Sequence, residues 1–292
     1  MVSLTGLAPR AAVRQVTGCL QAAGCPDAGY DAGVLYTLAT GRDARLDDAP
    51  LSPEAAERLE TLTRRRAARE PLQYIAGEWD FLDFTLKVGP GVLCPRADTE
   101  VVCETAIDLL RRAGKPAPRV ADLCAGTGCL GLGVKRFVPG AQVVCVEKSP
   151  EAFAYLKENA VTALKARGLS VEAVLDDAAA WLEAQPRDSL DLIVSNPPYL
   201  TGEEMKALQP ETAREPAMAL DGGADGLAFY RLLARAVLPR VRPGGWLVFE
   251  IGWQQQEAVE AIGKAAGWCN VSCRKDYGGN PRAVCLQKPE TK

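Results

Sequence analysis

From about residue 96 onward, short apolar runs alternate with longer stretches whose apolar residues recur at helical spacing. The runs are Arg119–Leu123, Gln142–Val146, Val171–Leu175, Leu190–Ser195 and Trp246–Ile251. Strand and helix signals in this order predict a parallel sheet flanked by helices. Two further candidate strands, Val271–Lys275 and Ala283–Gln287, are separated by Gly278-Gly279-Asn280-Pro281 and predict a closing antiparallel hairpin. Residues 1–72 read differently: they are rich in small residues, with helical apolar spacing in Gly33–Leu38 and Ala55–Leu62. Ser52-Pro53 supplies an N-cap and a first-turn proline for the second of these. Between the two regions, Trp79, Phe81, Phe84, Leu86 and Val88 are spaced like strands, and Gly89-Pro90-Gly91 is turn chemistry. The expected organisation is a helical domain over 1–72, a linker hairpin over 73–95 and an α/β domain over 96–292.

Composition narrows the classes of function. A hydrophobic share of 48% and a charged share of 24% suit a soluble globular enzyme. A net charge of −3 argues against a protein whose main work is gripping phosphates. Arg64-Arg65-Arg66 and Arg69 form a local basic cluster at the end of a predicted helix. It reads either as a solvated face favoured by the helix dipole or as a contact to an acidic partner or RNA. No apolar stretch is long enough to span a bilayer, so no membrane association is expected. With no signal peptide, a reducing compartment, the cytoplasm, is expected, and disulfides are not.

The ten cysteines contain no Cys-x2-Cys pair, and several sit inside strand-like runs, so no metal site is expected. The chain contains no histidine. That excludes an imidazole base, a Ser-His-Asp triad and a histidine metal ligand.

The most informative chemistry follows Leu192-Ile193-Val194. There Asn196-Pro197-Pro198-Tyr199 falls at the carboxyl end of a buried strand, the edge where open α/β sheets bind ligands. Two prolines give carbonyl acceptors on a stiff backbone, Asn196 adds a side-chain acceptor and Tyr199 an aromatic face. A planar NH2 group can hydrogen-bond to Asn196 and the Pro197 carbonyl while resting on Tyr199. The site suits an amino or amide nitrogen awaiting an electrophile.

A donor for that electrophile is written into the first strand of the domain. It runs into Asp122-Leu123-Cys124-Ala125-Gly126-Thr127-Gly128, followed by Gly131. Read literally, Gly126, Gly128 and Gly131 make the dinucleotide fingerprint, whose backbone N–H groups approach a ligand at a helix start. Three features favour S-adenosylmethionine over a nicotinamide. Asp122 offers a negative charge to ammonium and sulfonium groups. Glu147, at the end of the second strand, can accept from both ribose hydroxyls. The Asn196–Tyr199 segment sits where an amino acceptor would meet a methyl group. Asp177 is placed to receive the adenine amino group, although the adjacent Asp176 is an equal candidate.

These residues resemble the bacterial release factor glutamine methyltransferases, the HemK/PrmC family, over nearly the whole chain. Asp122–Gly128 looks like the family's S-adenosylmethionine loop and Ser195–Tyr199 its catalytic motif. Further matches are Glu70-Pro71, Gln73-Tyr74-Ile75, Gly77, Pro95-Arg96, Asp98-Thr99-Glu100 and Glu215-Pro216. They continue with Ala219-Leu220, Gly223, Asp225-Gly226-Leu227, Glu250-Ile251-Gly252, Gln254-Gln255, Asp276-Tyr277-Gly278 and Arg282. The chain departs from the pattern at Ala178, where an aromatic residue often follows the adenine-site acid, with Trp181 the neighbour expected to cover the ring instead. It departs again at Glu147, where Asp is commoner.

The resemblance implies a Rossmann-like class I S-adenosylmethionine-dependent methyltransferase sheet with a small N-terminal helical domain. It implies methylation of the side-chain amide nitrogen (N5) of the glutamine in the Gly-Gly-Gln motif of class 1 peptide chain release factors. Cofactor contacts would fall to Asp122, Cys124, Ala125, Gly126, Thr127, Gly128, Glu147, Asp177 and Asn196. Asn196, Pro197, Pro198 and Tyr199 would do the catalysis, with no direct binding of nucleic acid. The alternatives are an exocyclic-amine methyltransferase acting on nucleic acid, an NAD-dependent dehydrogenase, and a release-factor- or ribosome-binding module without activity.

Overall fold

The computed structural model describes residues 3–290. The chain divides into two compact units, Met1–Glu78 with Gln209–Arg214, and Trp79–Leu208 with Glu215–Lys292.

The first unit is helical: α1 (Pro9–Ala22), α2 (Ala28–Thr40), α3 (Pro53–Ala67) and the short α4 (Leu72–Ala76). Pro9 and Pro53 start α1 and α3, and the Ser52 hydroxyl accepts from the Ala55 N–H at 3.2 Å. Leu4, Val16, Leu20, Leu35, Tyr36 and Leu59 form a sealed core. Here the structure corrects the reading of the arginine cluster at Arg66 and Arg69, and leaves Arg64 and Arg65 on a solvated face. Arg66 is 4% exposed and lies between Asp31 at 2.7 Å and Glu211 at 2.7 Å. Arg69 grips both oxygens of Glu211 at 2.6 Å, and Arg65 pairs with Glu70 at 2.6 Å. Three of the four arginines are therefore held in ion pairs within this unit, Arg66 buried and Arg65 at the surface, while Arg64 stays exposed. Burial raises the Asp31 carboxyl. It acts the same way on Glu211, but Arg69 and Arg66 prevail and hold that carboxyl at about 2.

The predicted hairpin starts later than its sequence suggests. Residues 72–76 are helical and end at Gly77, and β1 (Glu78–Phe81) then pairs with β2 (Phe84–Lys87). The ribbon is part of a core rather than a free tether. Phe81 and Phe84 meet edge to face at 5.8 Å and, with Leu86, pack among buried residues of the second unit.

That unit contains α5 (Ala97–Ala113), β3 (Arg119–Leu123), α6 (Cys129–Phe137), β4 (Gln142–Glu147), α7 (Pro150–Lys165), β5 (Glu172–Leu175) and α8 (Ala178–Ala184). It continues with β6 (Leu190–Ser195), α9 (Gly202–Lys206), α10 (Ala228–Val237), β7 (Val241–Glu250), α11 (Gln256–Ala265), β8 (Cys269–Lys275) and β9 (Pro281–Gln287). The seven strands lie in the order β5-β4-β3-β6-β7-β9-β8, parallel from β5 to β7, with β9 antiparallel to both neighbours. Successive strand residues alternate between two cores. Val120, Leu192 and Val248 join α5, α6 and α7, while Ala121, Ile193 and Leu247 join α8, α10 and α11. Burial on both faces is why these strands read as unbroken apolar runs. β7 begins five residues before its apolar run, because Leu190 pairs with Val241 and Leu192 with Trp246, leaving 242–245 as a bulge. Among the described residues no helix is long and apolar enough to cross a membrane.

Removing Arg66 leaves Asp31 buried without its partner, whereas Arg65 sits at the surface. Arg66→Met is expected to cost about 3 kcal/mol in urea unfolding and Arg65→Met less than about 1 kcal/mol. Equal midpoints for the two variants would contradict the buried network.

Candidate active site

Four parallel strands place the site by register. Leu123 pairs with Val146 and with Ser195, and Ser195 pairs with Phe249. One residue beyond this row, on the carboxyl edge, the chain reaches Cys124, Glu147, Asn196 and Glu250. Strand order reverses between β3 and β6, so a crevice opens there. The Ser195 hydroxyl donates to the Leu123 carbonyl at 2.7 Å and locks the two strand ends together.

The crevice is lined by Cys124, Ala125, Gly126, Thr127, Glu147, Asp176, Asp177, Ala178, Asn196 and Pro198. Most of the predicted cofactor residues are thus brought together. The loop reaches its shape at some conformational cost. Cys124 has φ +60°, a left-handed position for a residue with a Cβ. Gly128 (φ +84°) caps α6, and a Cβ there would stand 2.6 Å from Leu156 Cδ1. Burial pushes the Cys124 thiol up to about 12.

Glu147 accepts from the Gly126 N–H at 2.8 Å through Oε2 and from the Ser149 N–H at 2.7 Å through Oε1. Each oxygen keeps a lone pair for a diol, so the added methylene of Glu is taken up without losing the acceptors. Asp177 caps α8, accepting from Ala179 and Ala180 N–H, and its other oxygen meets Lys148 at 3.0 Å. Lys148 holds its carboxyl below the usual range. Asp176 also lines the crevice, so position does not separate the two acids.

Two expectations are corrected. Asp122 does not line the crevice: it is 1% exposed beneath the loop, with Oδ2 accepting from the Gly131 N–H at 2.8 Å and Oδ1 unpartnered. Burial raises its carboxyl to about 7. Trp181 cannot cover a ring in the crevice either, because it is 8% exposed and packed among Leu182, Val146 and Leu190 in the core.

Within the tetrapeptide, Asn196 and Pro198 face the crevice, and Pro197 and Tyr199 are not among its lining residues. Among the described residues no protein group hydrogen-bonds the Asn196 side chain or the Pro197 carbonyl. Tyr199 is half-buried against the core that holds Tyr230 and Phe249. Burial raises its hydroxyl, with the Glu250 carboxylate adding to the effect.

Sequence reasoning missed the remaining walls. Gly91 to Pro95, treated as linker, form one side, and Pro216, Met218, Ala219 and Phe229 another. Glu215 joins these two walls: it pairs with Arg96 and accepts from the Cys94 N–H at 3.1 Å. Arg282 ties Asp98 at 3.0 Å, Asp276 at 3.1 Å and the Ile251 carbonyl at 3.0 Å. The scattered motif matches at 95–100, 215–216, 250–252, 276 and 282 are therefore one supporting shell, and the signal for these walls lay in those matches. Glu250 is 1% exposed with Oε2 unpartnered, and burial raises it to about 7 against the pull of Thr99, Arg282 and Arg96.

The residues present fit a methyl donor of the S-adenosylmethionine kind. Glu147 presents two carboxylate oxygens with lone pairs to spare, Asp176 and Asp177 line the same crevice, and an orphaned buried carboxylate oxygen of Asp122 lies below the loop. Comparison with known proteins agrees. Residues 91–223 match the "Methyltransferase small domain" family and residues 11–77 the "PrmC N-terminal domain" family. A release factor glutamine methyltransferase of Geobacter sulfurreducens is 42% identical over 81% of this chain and 80% of its own length. One of Cereibacter sphaeroides is 39% identical over 95% of this chain and 98% of its own. Among solved structures, the hMettl16 catalytic domain in complex with MAT2A 3'UTR hairpin 6 overlays with a TM-score of 0.55 at 15% identity. It covers 82% of each chain, a likeness of fold alone.

Asp122 titrates near 7 when folded and near 3.8 when unfolded, so between these pH values the folded state holds the proton and the unfolded chain releases it. Its contribution therefore becomes more unfavourable as pH rises through that window, by about 1.4 kcal/mol per unit. Glu250 behaves alike from 4.5. Asp122→Asn keeps an oxygen for Gly131 and is expected to remove about half of this fall. Urea midpoints at mildly acidic and mildly alkaline pH measure it; an unchanged pH slope would disprove the buried charge.

Proposed function

The chain belongs to the release factor glutamine methyltransferase family, and from that membership we propose that Asn196 and the Pro197 carbonyl hold the glutamine amide nitrogen of a class 1 release factor for methylation. The enzyme is an S-adenosylmethionine-dependent methyltransferase. Family membership decides against the dehydrogenase, the nucleic acid amine methyltransferase and the inactive binding module.

When bound, S-adenosylmethionine supplies an electrophilic methyl on a sulfonium. The binding roles fall to the cleft residues. Glu147 takes the ribose hydroxyls, Asp177 or Asp176 the adenine amino group, and the backbone of Cys124–Gly128 the remainder. Asp122 acts from below, holding the Gly131 N–H and lending negative charge.

An amide nitrogen is a poor nucleophile because its lone pair is delocalised; a rotation barrier of about 18–20 kcal/mol gives the scale. Asn196 Oδ1 and Pro197 O, gripping the two N–H bonds, favour pyramidalisation and aim the lone pair into the crevice. The observation that carries this reading is that both acceptors lack a protein donor while Asn196 faces the crevice one residue beyond the row that places Glu147. Tyr199 supports the amide plane from the core side. No base precedes attack, which agrees with a chain that lacks histidine; the proton leaves to solvent after methyl transfer has made the nitrogen acidic. Acceleration comes from orientation and fixed dipoles. The helical unit holds the body of the release factor, and the reaction takes place in the cytoplasm.

Methyl incorporation into a release factor is expected with its Gly-Gly-Gln glutamine intact and not after change to alanine. Equal incorporation would sink the assignment. Asn196→Ala is expected to lose about 2–4 kcal/mol of transition-state stabilisation in kcat, by analogy with removal of an oxyanion-hole donor. A wild-type kcat would refute the gripping role.

A further inference from the structure

Gln255, just before α11, spends its whole side-chain amide on other parts of the chain. Nε2 donates to the Tyr199 carbonyl at 2.9 Å and to the Gly226 carbonyl at 3.3 Å. Oε1 accepts from the Gly252 N–H at 3.0 Å. The Tyr230 hydroxyl gives its proton chiefly to the Glu250 carbonyl at 2.9 Å and stands 3.4 Å from Oε1.

The Tyr199 carbonyl needs this partner. β6 ends at Ser195, so no sheet ladder holds residues 196–199. The pairing of Leu200 with the 220–222 segment resumes support only after the tetrapeptide, through Leu200 N to Leu220 O at 2.9 Å and Gly222 N to Leu200 O at 2.8 Å. Backbone packing around Tyr199 is close enough to require glycines. A Cβ on Gly222 would lie 2.7 Å from Tyr199 Cα, and one on Gly226 2.4 Å from Tyr199 O. Gly226 also has φ +70°, so its backbone alone demands glycine. The Tyr199 carbonyl thus meets glycine backbone and the Gln255 amide together.

We propose that Gln255 is a positioning residue for methyl transfer. By fixing the Tyr199 carbonyl it sets the course of the Asn196–Tyr199 backbone, and with it the aim of Asn196 and the Pro197 carbonyl. It does so without lining the crevice, so the methyl donor does not touch it. The inference rests on the reading that Asn196 and Pro197 grip the acceptor amide.

Gln255→Glu separates these roles, since a carboxylate still accepts from Gly252 but has no N–H for Tyr199 or Gly226. Steady-state methylation of an intact release factor is measured beside calorimetric binding of S-adenosylmethionine and the thermal midpoint. The expected result is a kcat about 10- to 100-fold lower, with cofactor affinity within about twofold of wild type. A kcat within about twofold of wild type, or a cofactor affinity that falls in step with kcat, overturns the proposal. If Gln255→Glu does not fold, Gln255→Met, which drops every bond at similar volume, is read by the same criteria. Wild-type enzyme in the same assay separates the two failures: no methylation there defeats the parent reading, and a normal Gln255 variant beside an active wild type defeats only this one.

Discussion

The pairing of Leu123 with Val146 on one side and Ser195 on the other is the constraint from which the site follows. Parallel strands have evenly spaced bonds, so three chains that agree in register leave the sheet at the same height. Cys124, Glu147 and Asn196 must then emerge side by side, whatever their loops do afterwards. A slip of one residue on any strand would turn its terminal side chain to the opposite face. Burial of each strand in two different cores opposes that slip, because the apolar residues of each run are divided between one core and the other. The same burial that makes the strands legible therefore fixes the chemistry.

Precision at the edge is bought with buried charge. Asp122 and Glu250 each sit at 1% exposure with one oxygen unpartnered, and burial raises both to about 7. An amide at either position would be cheaper to bury, and at 122 it would still hold the Gly131 N–H. What the carboxylate offers at 122 is negative charge beneath the glycine loop, which suits the proposed cationic donor. Glu250 stands at the opposite corner, beside the guanidiniums of Arg96 and Arg282, whose charge counts against its burial. Sealed supports of this sort resemble a second ring around the crevice, since they set the walls without lining them.

Legibility in the sequence tracked distance along the chain. The strands that lead into Asn196 and into the glycine loop were readable because each is a short apolar run ending in turn chemistry, and β3 and β6 fall where those runs predict. The arginine cluster was misread because the partners of Arg66 lie 35 and 145 residues away, at Asp31 and Glu211. No local pattern announces a salt bridge of that span. Trp181 was misplaced for a related reason. It lies four residues past Asp177, one helical turn on, and the amphipathic demand of α8 turns it into the core rather than the crevice. The wall at 91–95 was not read as cleft because Gly89-Pro90-Gly91 reads as a turn, and the wall at 216–219 appeared only as a motif match; Glu215, reaching back to Cys94 and Arg96, makes them one surface.

The proposed grip on an amide uses acceptors that do not themselves take the proton. Asn196 Oδ1 and a prolyl carbonyl are such acceptors, and proline has the further merit of leaving no N–H to compete for them. Acceptors of this kind work only if they stay where they are aimed, since neither gains from a change of protonation. Rigid aim is the property the surroundings supply: two consecutive prolines, glycines pressed on Tyr199, and a Gln255 amide with no donor to spare. In the proposed mechanism the stiffness of the tetrapeptide then matters more than any titratable group, because orientation precedes attack and the proton leaves only after it.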